Sequence, residues 1–185
     1  MPPRNKSGTA LLILDMISEY RYPDGERIVR SARKAAANIA RLRERAHASG
    51  IPVIYVNDTA GQWESDQKSF IDRCMQPDSR GREIVQRLAP TPEDYFMFKP
   101  MHSAFFGTPL HTLLQRLKIG RLIVTGITSH QCVLFTAMDA HVREFKLIVP
   151  SDCMGAASVT DTKHALYILS HALMAKVGNS RQLRF

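Results

Sequence analysis

The 185-residue chain has few cysteines and no long apolar segment. Its three cysteines are an odd number, and none of them belongs to a Cys-x-x-Cys pair. This composition excludes a disulfide scaffold, argues against thiol–disulfide redox chemistry and favours a reducing compartment, so we expect a cytoplasmic protein. No run approaches the roughly 18 apolar residues of a membrane-spanning helix, and no apolar stretch of signal-peptide length follows the first residues.

Acidic residues are the minority among the charged residues. Lys and Arg number 25 against 17 Asp and Glu, which gives a formal net charge of +8. Seven of the basic residues lie between Arg27 and Arg45, on a predicted helix without interleaved aromatic residues. No nucleic-acid-binding motif accompanies them, so we interpret this charge as a solvated helix face and expect neither a nucleic-acid nor a membrane partner.

Short apolar runs alternate with segments of helical periodicity. The runs predict buried strands at Ala10–Leu14, Val53–Val56, Tyr95–Phe98, Leu122–Thr125 and Leu147–Val149. The periodic segments predict helices at 27–49, 79–88, 108–120, 129–143 and 160–176. This alternation predicts one doubly wound α/β domain over residues 1–185, with helices on both faces of a parallel sheet.

Chemically reactive side chains follow three of the predicted strands. Asp15 follows the first strand, Lys99 follows the third, and Cys132 lies in the first helical turn after the fourth. Each has a common structural explanation when taken alone: a turn aspartate, a snorkelling lysine and a buried cysteine. Because ligands of α/β sheets bind beyond the carboxyl ends of the strands, we expect the three groups to meet there.

A carboxylate, an ammonium group and a thiol together suit nucleophilic acyl transfer. We expect Lys99 to lower the pKa of the Cys132 thiol and to keep Asp15 ionised, while Asp15 takes and returns a proton. The backbone N–H groups of Thr128 and Cys132 are candidates for an oxyanion hole. Residues that lie near the same edge and are candidate substrate contacts are Tyr20, Asn57, Trp63, Phe105 and Gln131.

Three segments around these residues resemble the signature blocks of the isochorismatase-like cysteine hydrolases. They are LLILDM (11–16), FKPMHSAFFGTPL (98–110) and TGITSHQCV (125–133), and the resemblance extends over about residues 8–175. It implies a three-layer αβα sandwich with a six-stranded parallel sheet and a catalytic triad of Asp15, Lys99 and Cys132. It also implies a cis peptide between Ile127 and Thr128, and a homo-oligomer, either a dimer or a tetramer.

The branches of this family differ in their motifs, and these differences narrow the expected activity. Nicotinamidases hold a metal through an Asp-x-His pair and a later histidine, whereas this chain has no histidine between His47 and His102. We therefore expect neither a metal nor another cofactor. Isochorismatases that act on vinyl ethers commonly lack the cysteine, so Cys132 favours hydrolysis of an amide or carbamoyl C–N bond in a small molecule. A vinyl-ether hydrolase and an inactive binding protein on the same scaffold remain the alternatives.

Overall fold

A computed structural model describes residues 8–59 and 66–184. Its sheet has the strand order β3-β2-β1-β4-β5-β7, with β6 paired to β4 beyond the end of β5, and the strand pairings are parallel. The strands are β1 (Thr9–Leu14), β2 (Val53–Asp58), β3 (Tyr95–Lys99), β4 (Arg121–Ile127), β5 (Lys146–Pro150), β6 (Met154–Gly155) and β7 (Lys176–Gly178). The predicted parallel α/β sheet is confirmed.

Helices cover both faces of this sheet. They are α1 (Gly25–Ala48), α2 (Gln67–Cys74), α3 (Arg82–Leu88), α4 (Leu110–Arg116), α5 (Leu134–Val142) and α6 (Val159–His171). A π-helix, Ser129–Val133, precedes α5, and a 3₁₀ turn follows β7 at Ser180–Gln182. Within the described ranges, no helix is both long enough and apolar enough to cross a membrane.

The central strand β1 is buried on both faces, which explains its unbroken apolar sequence. Leu11 and Ile13 pack in one core with α1 and α3. Leu12 and Leu14 pack in a second core with α4, α5 and α6. Because side chains alternate along a strand, one apolar run supplies both cores of the three-layer sandwich.

Helix α1 follows its predicted apolar stripe, but its basic face is only partly solvated. Five of the seven basic residues are exposed. Arg43 instead donates to the Tyr55 hydroxyl at 2.9 Å and to the Ala89 carbonyl oxygen at 3.0 Å. Arg45 donates to the Ser180 carbonyl oxygen at 2.8 Å. These two arginines connect α1 to β2, to the residue after α3 and to the 3₁₀ turn. Helical periodicity does not predict such contacts.

The second half of the chain departs from the predicted boundaries. The last predicted helix, 160–176, ends at His171, and the chain then enters the edge strand β7. The two-residue strand β6 was also not predicted, and neither was α2 within the long polar segment after β2. Strands of two or three residues are too short to show the alternation on which strand prediction depends.

Glycine is required at position 126, where β4 passes β1. Gly126 has a φ of +118°, and a Cβ atom there would lie 2.1 Å from the Leu14 carbonyl oxygen. The chain must therefore have no side chain at this point, immediately before the turn that ends β4.

We expect Gly126→Ala to lower the free energy of unfolding by about 2–5 kcal/mol, since it combines backbone strain with a clash in the sheet. Gly120→Ala is the matched control, because no heavy atom lies within 4 Å of a Cβ placed at that exposed glycine. Urea unfolding followed by circular dichroism makes the comparison. Equal unfolding midpoints for the two variants would contradict this account.

Candidate active site

The carboxyl ends of four neighbouring strands meet at one edge of the sheet. The register pairs Leu14 of β1 with Val56 of β2 and with Gly126 of β4. It also pairs Asp58 of β2 with Lys99 of β3. The residue after β1, the last residue of β3 and the turn after β4 therefore lie side by side, as the sequence predicts.

Asp15 is held by a hydrogen bond on one carboxylate oxygen and an ion pair on the other. Its Oδ1 accepts from the backbone N–H of Asp58 at 2.7 Å, and its Oδ2 lies 2.9 Å from Nζ of Lys99. Its backbone has a φ of +53°, in the left-handed region that aspartate tolerates better than most residues. With this backbone conformation, the Asp15 carboxylate lies at the ends of β2 and β3 and does not continue along the axis of β1.

Lys99 links the other two reactive groups. Its side chain has 0% exposure, and its Nζ lies 3.5 Å from Sγ of Cys132 in addition to its contact with Asp15. Nζ also donates to the Met101 carbonyl oxygen at 3.1 Å, and Oδ2 of Asp58 lies 3.9 Å away. The ammonium group thus has acceptors on several sides, which is what a buried charge requires.

Cys132 belongs to the π-helix that begins directly after β4. The Ile127–Thr128 peptide at this junction is cis. The Thr128 hydroxyl donates to the side-chain oxygen of Gln131 at 3.0 Å, which closes the turn across the start of the helix. The Cys132 thiol and the Asp15 carboxyl group lie close enough to shift each other's pKa. The first N–H groups of a helix have no partner inside it, so Thr128 and Cys132 lie where an oxyanion could be bound.

Burial dominates the protonation of these groups. It raises the pKa of Asp15, against the opposing effect of the Lys99 charge. Burial also raises the pKa of the Cys132 thiol well above its ordinary value; Asp15 adds to this rise and Lys99 opposes it. For Lys99, burial lowers the pKa, but the neighbouring Asp15 and Cys132 outweigh it and the net shift is upward. These shifts keep Lys99 protonated and the Cys132 thiol uncharged at neutral pH.

The sequence predicts that Lys99 lowers the pKa of the Cys132 thiol. This effect is present, but burial outweighs it. Lys99 does favour the Cys132 thiolate, but the net pKa shift of the thiol is upward because both groups are buried. The neighbouring Asp15 carboxyl group, whose own pKa burial raises, adds to this upward shift of the thiol.

A cavity of about 900 Å³ opens above Asp15 and Cys132. Of the candidate substrate contacts, Tyr20, Asn57 and Gln131 line this cavity, and so does Thr128. Asn57 is additionally structural, since its Nδ2 donates to the Ile17 carbonyl oxygen at 2.7 Å. Trp63 lies outside the described residues.

Phe105 does not line the cavity. It is buried with the core on the α4–α6 side of the sheet, where its ring lies 6.0 Å from that of Phe145 and under the guanidinium group of Arg143. A hydrogen bond in the loop after β3 explains this position of Phe105. The backbone N–H of Ala104 donates to the Thr136 hydroxyl at 3.0 Å, which turns the next residue into the core.

Several cavity residues were not predicted from the sequence. The loop after β1 contributes Glu19, Arg21 and Tyr22, and α2 contributes Arg73. Glu19 and Arg73 form an ion pair of 3.0 Å that connects these two segments. His102 also lines the cavity, and it lies inside the FKPMHSAFF segment, only three residues beyond Lys99.

The residues that the structure describes do not place three or more His, Cys, Asp or Glu side chains where they could hold a metal ion together. The groups nearest the reaction centre, Asp15 and Asp58, both face the Lys99 ammonium group. The positive charge of Lys99 compensates these two carboxylates.

Comparison with known proteins identifies the family. The family model of the isochorismatase domain matches residues 9–182, nearly the whole chain. The chain belongs to the isochorismatase family. It is 38% identical over 179 residues to the uncharacterized isochorismatase family protein YaaI of Bacillus subtilis (strain 168), covering 97% of this chain and 98% of that protein.

Solved structures of isochorismatase-family proteins have the same fold. The N-carbamoylsarcosine amidase of Thermoplasma acidophilum is 26% identical and superposes with a TM-score of 0.72, covering 96% of this chain and 99% of that one. An isochorismatase of Pseudomonas putida KT2440 is 25% identical, with a TM-score of 0.77 and coverage of 100% and 94%. These similarities support a hydrolase on the αβα scaffold.

We expect Lys99→Met to lower the free energy of unfolding by about 3–5 kcal/mol at neutral pH, because it leaves the Asp15 carboxylate buried without its cation. The double variant Lys99→Met/Asp15→Asn should recover part of this loss, since neither charge then remains. Urea unfolding measures both.

Lys68→Met is the matched control for this lysine. Lys68 pairs with Asp72 at 3.0 Å on the exposed surface of α2, where ion pairs contribute little. If Lys99→Met and Lys68→Met unfold at the same urea concentration, the buried pair does not have the structural role assigned to it.

Proposed function

We propose that this isochorismatase-family protein is a cysteine hydrolase that cleaves an amide or carbamoyl C–N bond of a small molecule. The observation that carries the proposal is the arrangement of Asp15, Lys99 and Cys132: one ammonium group lies 2.9 Å from the carboxylate and 3.5 Å from the sulfur, at the base of a cavity. The similarity to an N-carbamoylsarcosine amidase, whose name states C–N chemistry, supports it.

The proposed reaction begins with transfer of the thiol proton of Cys132 to Asp15. The sulfur then attacks the substrate carbonyl carbon, and the backbone N–H groups of Thr128 and Cys132 stabilise the oxyanion that forms. Lys99 stabilises negative charge on the sulfur and on the carboxylate throughout. The raised pKa of Asp15 brings its basicity closer to that of a proton acceptor working near neutral pH.

Breakdown of this intermediate requires the same carboxyl group. Asp15 returns the proton to the leaving nitrogen, the C–N bond breaks, and a thioester on Cys132 remains. Asp15 next accepts a proton from a water molecule, whose oxygen attacks the thioester carbonyl carbon. The C–S bond breaks, the acid is released, and the proton returns from Asp15 to the sulfur.

Hydrolysis of a vinyl ether is the second candidate. It is favoured by the structural similarity to the isochorismatase of Pseudomonas putida. Such a reaction needs a proton donor for the substrate but no thioester, so it would use Asp15 and leave Cys132 without a covalent role. The two candidate reactions therefore differ in whether they require the sulfur of Cys132.

We expect Cys132→Ala to lower kcat/KM for amide or carbamoyl substrates by roughly 10³-fold or more, since it removes the nucleophile. The measurement is ammonia release from a panel of simple amides, carbamoyl compounds and nicotinamide. Isochorismate, followed by pyruvate release, is assayed in parallel.

Cys153→Ala serves as the control, because Cys153 is fully buried and burial raises its pKa to about 12. It should keep the activity of the unmodified protein. Ammonia release that persists in Cys132→Ala would refute the thioester mechanism. Pyruvate release that persists there, without ammonia release by the unmodified protein, would favour the vinyl-ether hydrolase.

The pH dependence of hydrolysis should reflect Asp15. Because burial raises its pKa, protonation removes the base at a higher pH than for an exposed aspartate, whose pKa is about 3.9. We therefore expect kcat/KM to fall on the acid side with a midpoint clearly above that value. The profile is recorded together with circular dichroism, so that acid unfolding is recognised. A midpoint at or below about 4 in folded protein is incompatible with Asp15 as the base.

A further inference from the structure

His102 contacts the sulfur of Cys132 on the cavity side, and the mechanism above gives it no role. Its Nδ1 lies 3.8 Å from Sγ, within hydrogen-bond range for sulfur. The imidazole is exposed and lines the cavity. The sulfur of Cys132 therefore has a titratable partner on the side from which substrate and water approach.

The direction of this hydrogen bond follows from the other partners of the sulfur. In the proposed mechanism the proton of the Cys132 thiol moves to Asp15, which leaves the sulfur as a thiolate. Lys99, 3.5 Å away, is a donor to the sulfur from the core side. Toward His102 the sulfur consequently has only lone pairs, so Nδ1 is the donor and the sulfur is the acceptor.

The position of His102 depends on the backbone of its loop. Lys99 donates to the carbonyl oxygen of the preceding Met101 at 3.1 Å. On the other side, Ser103 hydrogen-bonds to Asp139 and the Ala104 N–H donates to Thr136, both of which belong to α5. Because anchors flank the histidine, its side chain can be exchanged without releasing the loop.

A ring contact fixes the imidazole itself. The ring of His102 lies 5.5 Å from that of Phe135 on α5, at an interplanar angle of 47°. Such a contact favours ring positions beside Phe135, and in the observed position Nδ1 lies toward the sulfur. The donor is thus pre-positioned before any charge forms, which is the condition for effective electrostatic stabilisation.

We propose that His102 is a further catalytic residue, which donates a hydrogen bond from Nδ1 to the sulfur of Cys132 while the sulfur carries negative charge. This occurs twice in the cycle, when the thiol proton has moved to Asp15 and when the thioester breaks. Lys99 stabilises the thiolate from the core, and His102 stabilises it from the cavity. The inference rests on the proposed cysteine-hydrolase function and extends it by one residue.

The test is the rate of alkylation of Cys132 by iodoacetamide at neutral pH, followed by mass spectrometry. The variants are His102→Leu, which removes the donor at similar volume, and His102→Asn, whose side-chain N–H takes approximately the place of Nδ1. We expect His102→Leu to lower the rate constant about tenfold, the effect of losing one hydrogen bond to a charged group. His102→Asn should stay within about threefold of the unmodified protein.

His141→Leu is the control for a general effect of removing a histidine. His141 is exposed on α5 and lies outside the cavity lining. It should alkylate at the rate of the unmodified protein. The inference is overturned if His102→Leu reacts as fast as the unmodified protein, or if His102→Asn is slowed as much as His102→Leu.

Hydrolysis of the amide panel separates this inference from the proposed function. If turnover depends on Cys132 but His102→Leu changes neither alkylation nor kcat/KM, the role of His102 is refuted and the hydrolase stands. If the histidine variants alter alkylation as expected but no member of the panel is hydrolysed, the hydrogen bond to sulfur is supported and the C–N hydrolase is refuted.

Discussion

The buried ammonium group of Lys99 is the constraint on which the site depends. A charge with no exposed surface is tolerated only when acceptors surround it, and here they come from two neighbouring strands and from the loop that follows its own strand. Asp15 follows β1, Asp58 ends β2, and the Met101 carbonyl oxygen belongs to the loop after β3. The same contacts that stabilise Lys99 hold the reactive groups together, so the stability of this edge and its chemistry have one physical origin.

Parallel topology makes this arrangement possible. Since the strands point the same way, their carboxyl ends lie along one edge, and residues far apart in the chain become neighbours. Gly126 lets β4 pass close to β1 immediately before the turn that carries Thr128 and Cys132. The left-handed backbone of Asp15 turns its carboxylate toward that junction. The geometry around the sulfur is therefore a consequence of how β1, β3 and β4 end.

Burial has a second effect, on protonation. It keeps Cys132 as a thiol and makes the neighbouring Asp15 more basic, which suits the proton transfer in the proposed mechanism. A lysine expected at the same edge as the cysteine suggests a thiolate, whereas burial outweighs the lysine and the net pKa shift of the thiol is upward.

The sequence by itself determined the alternation of strands and helices, the edge at which the site lies and the trio Asp15, Lys99 and Cys132, because apolar periodicity and strand ends are local properties. The cavity wall was decided only by tertiary structure. Phe105 turned into the core because Thr136 anchors the preceding residue, and Arg43 left the solvated face to bind Tyr55. His102 came within 3.8 Å of the sulfur through loop contacts with α5. Such contacts join residues that no periodicity relates, so they exist only once the chain has folded.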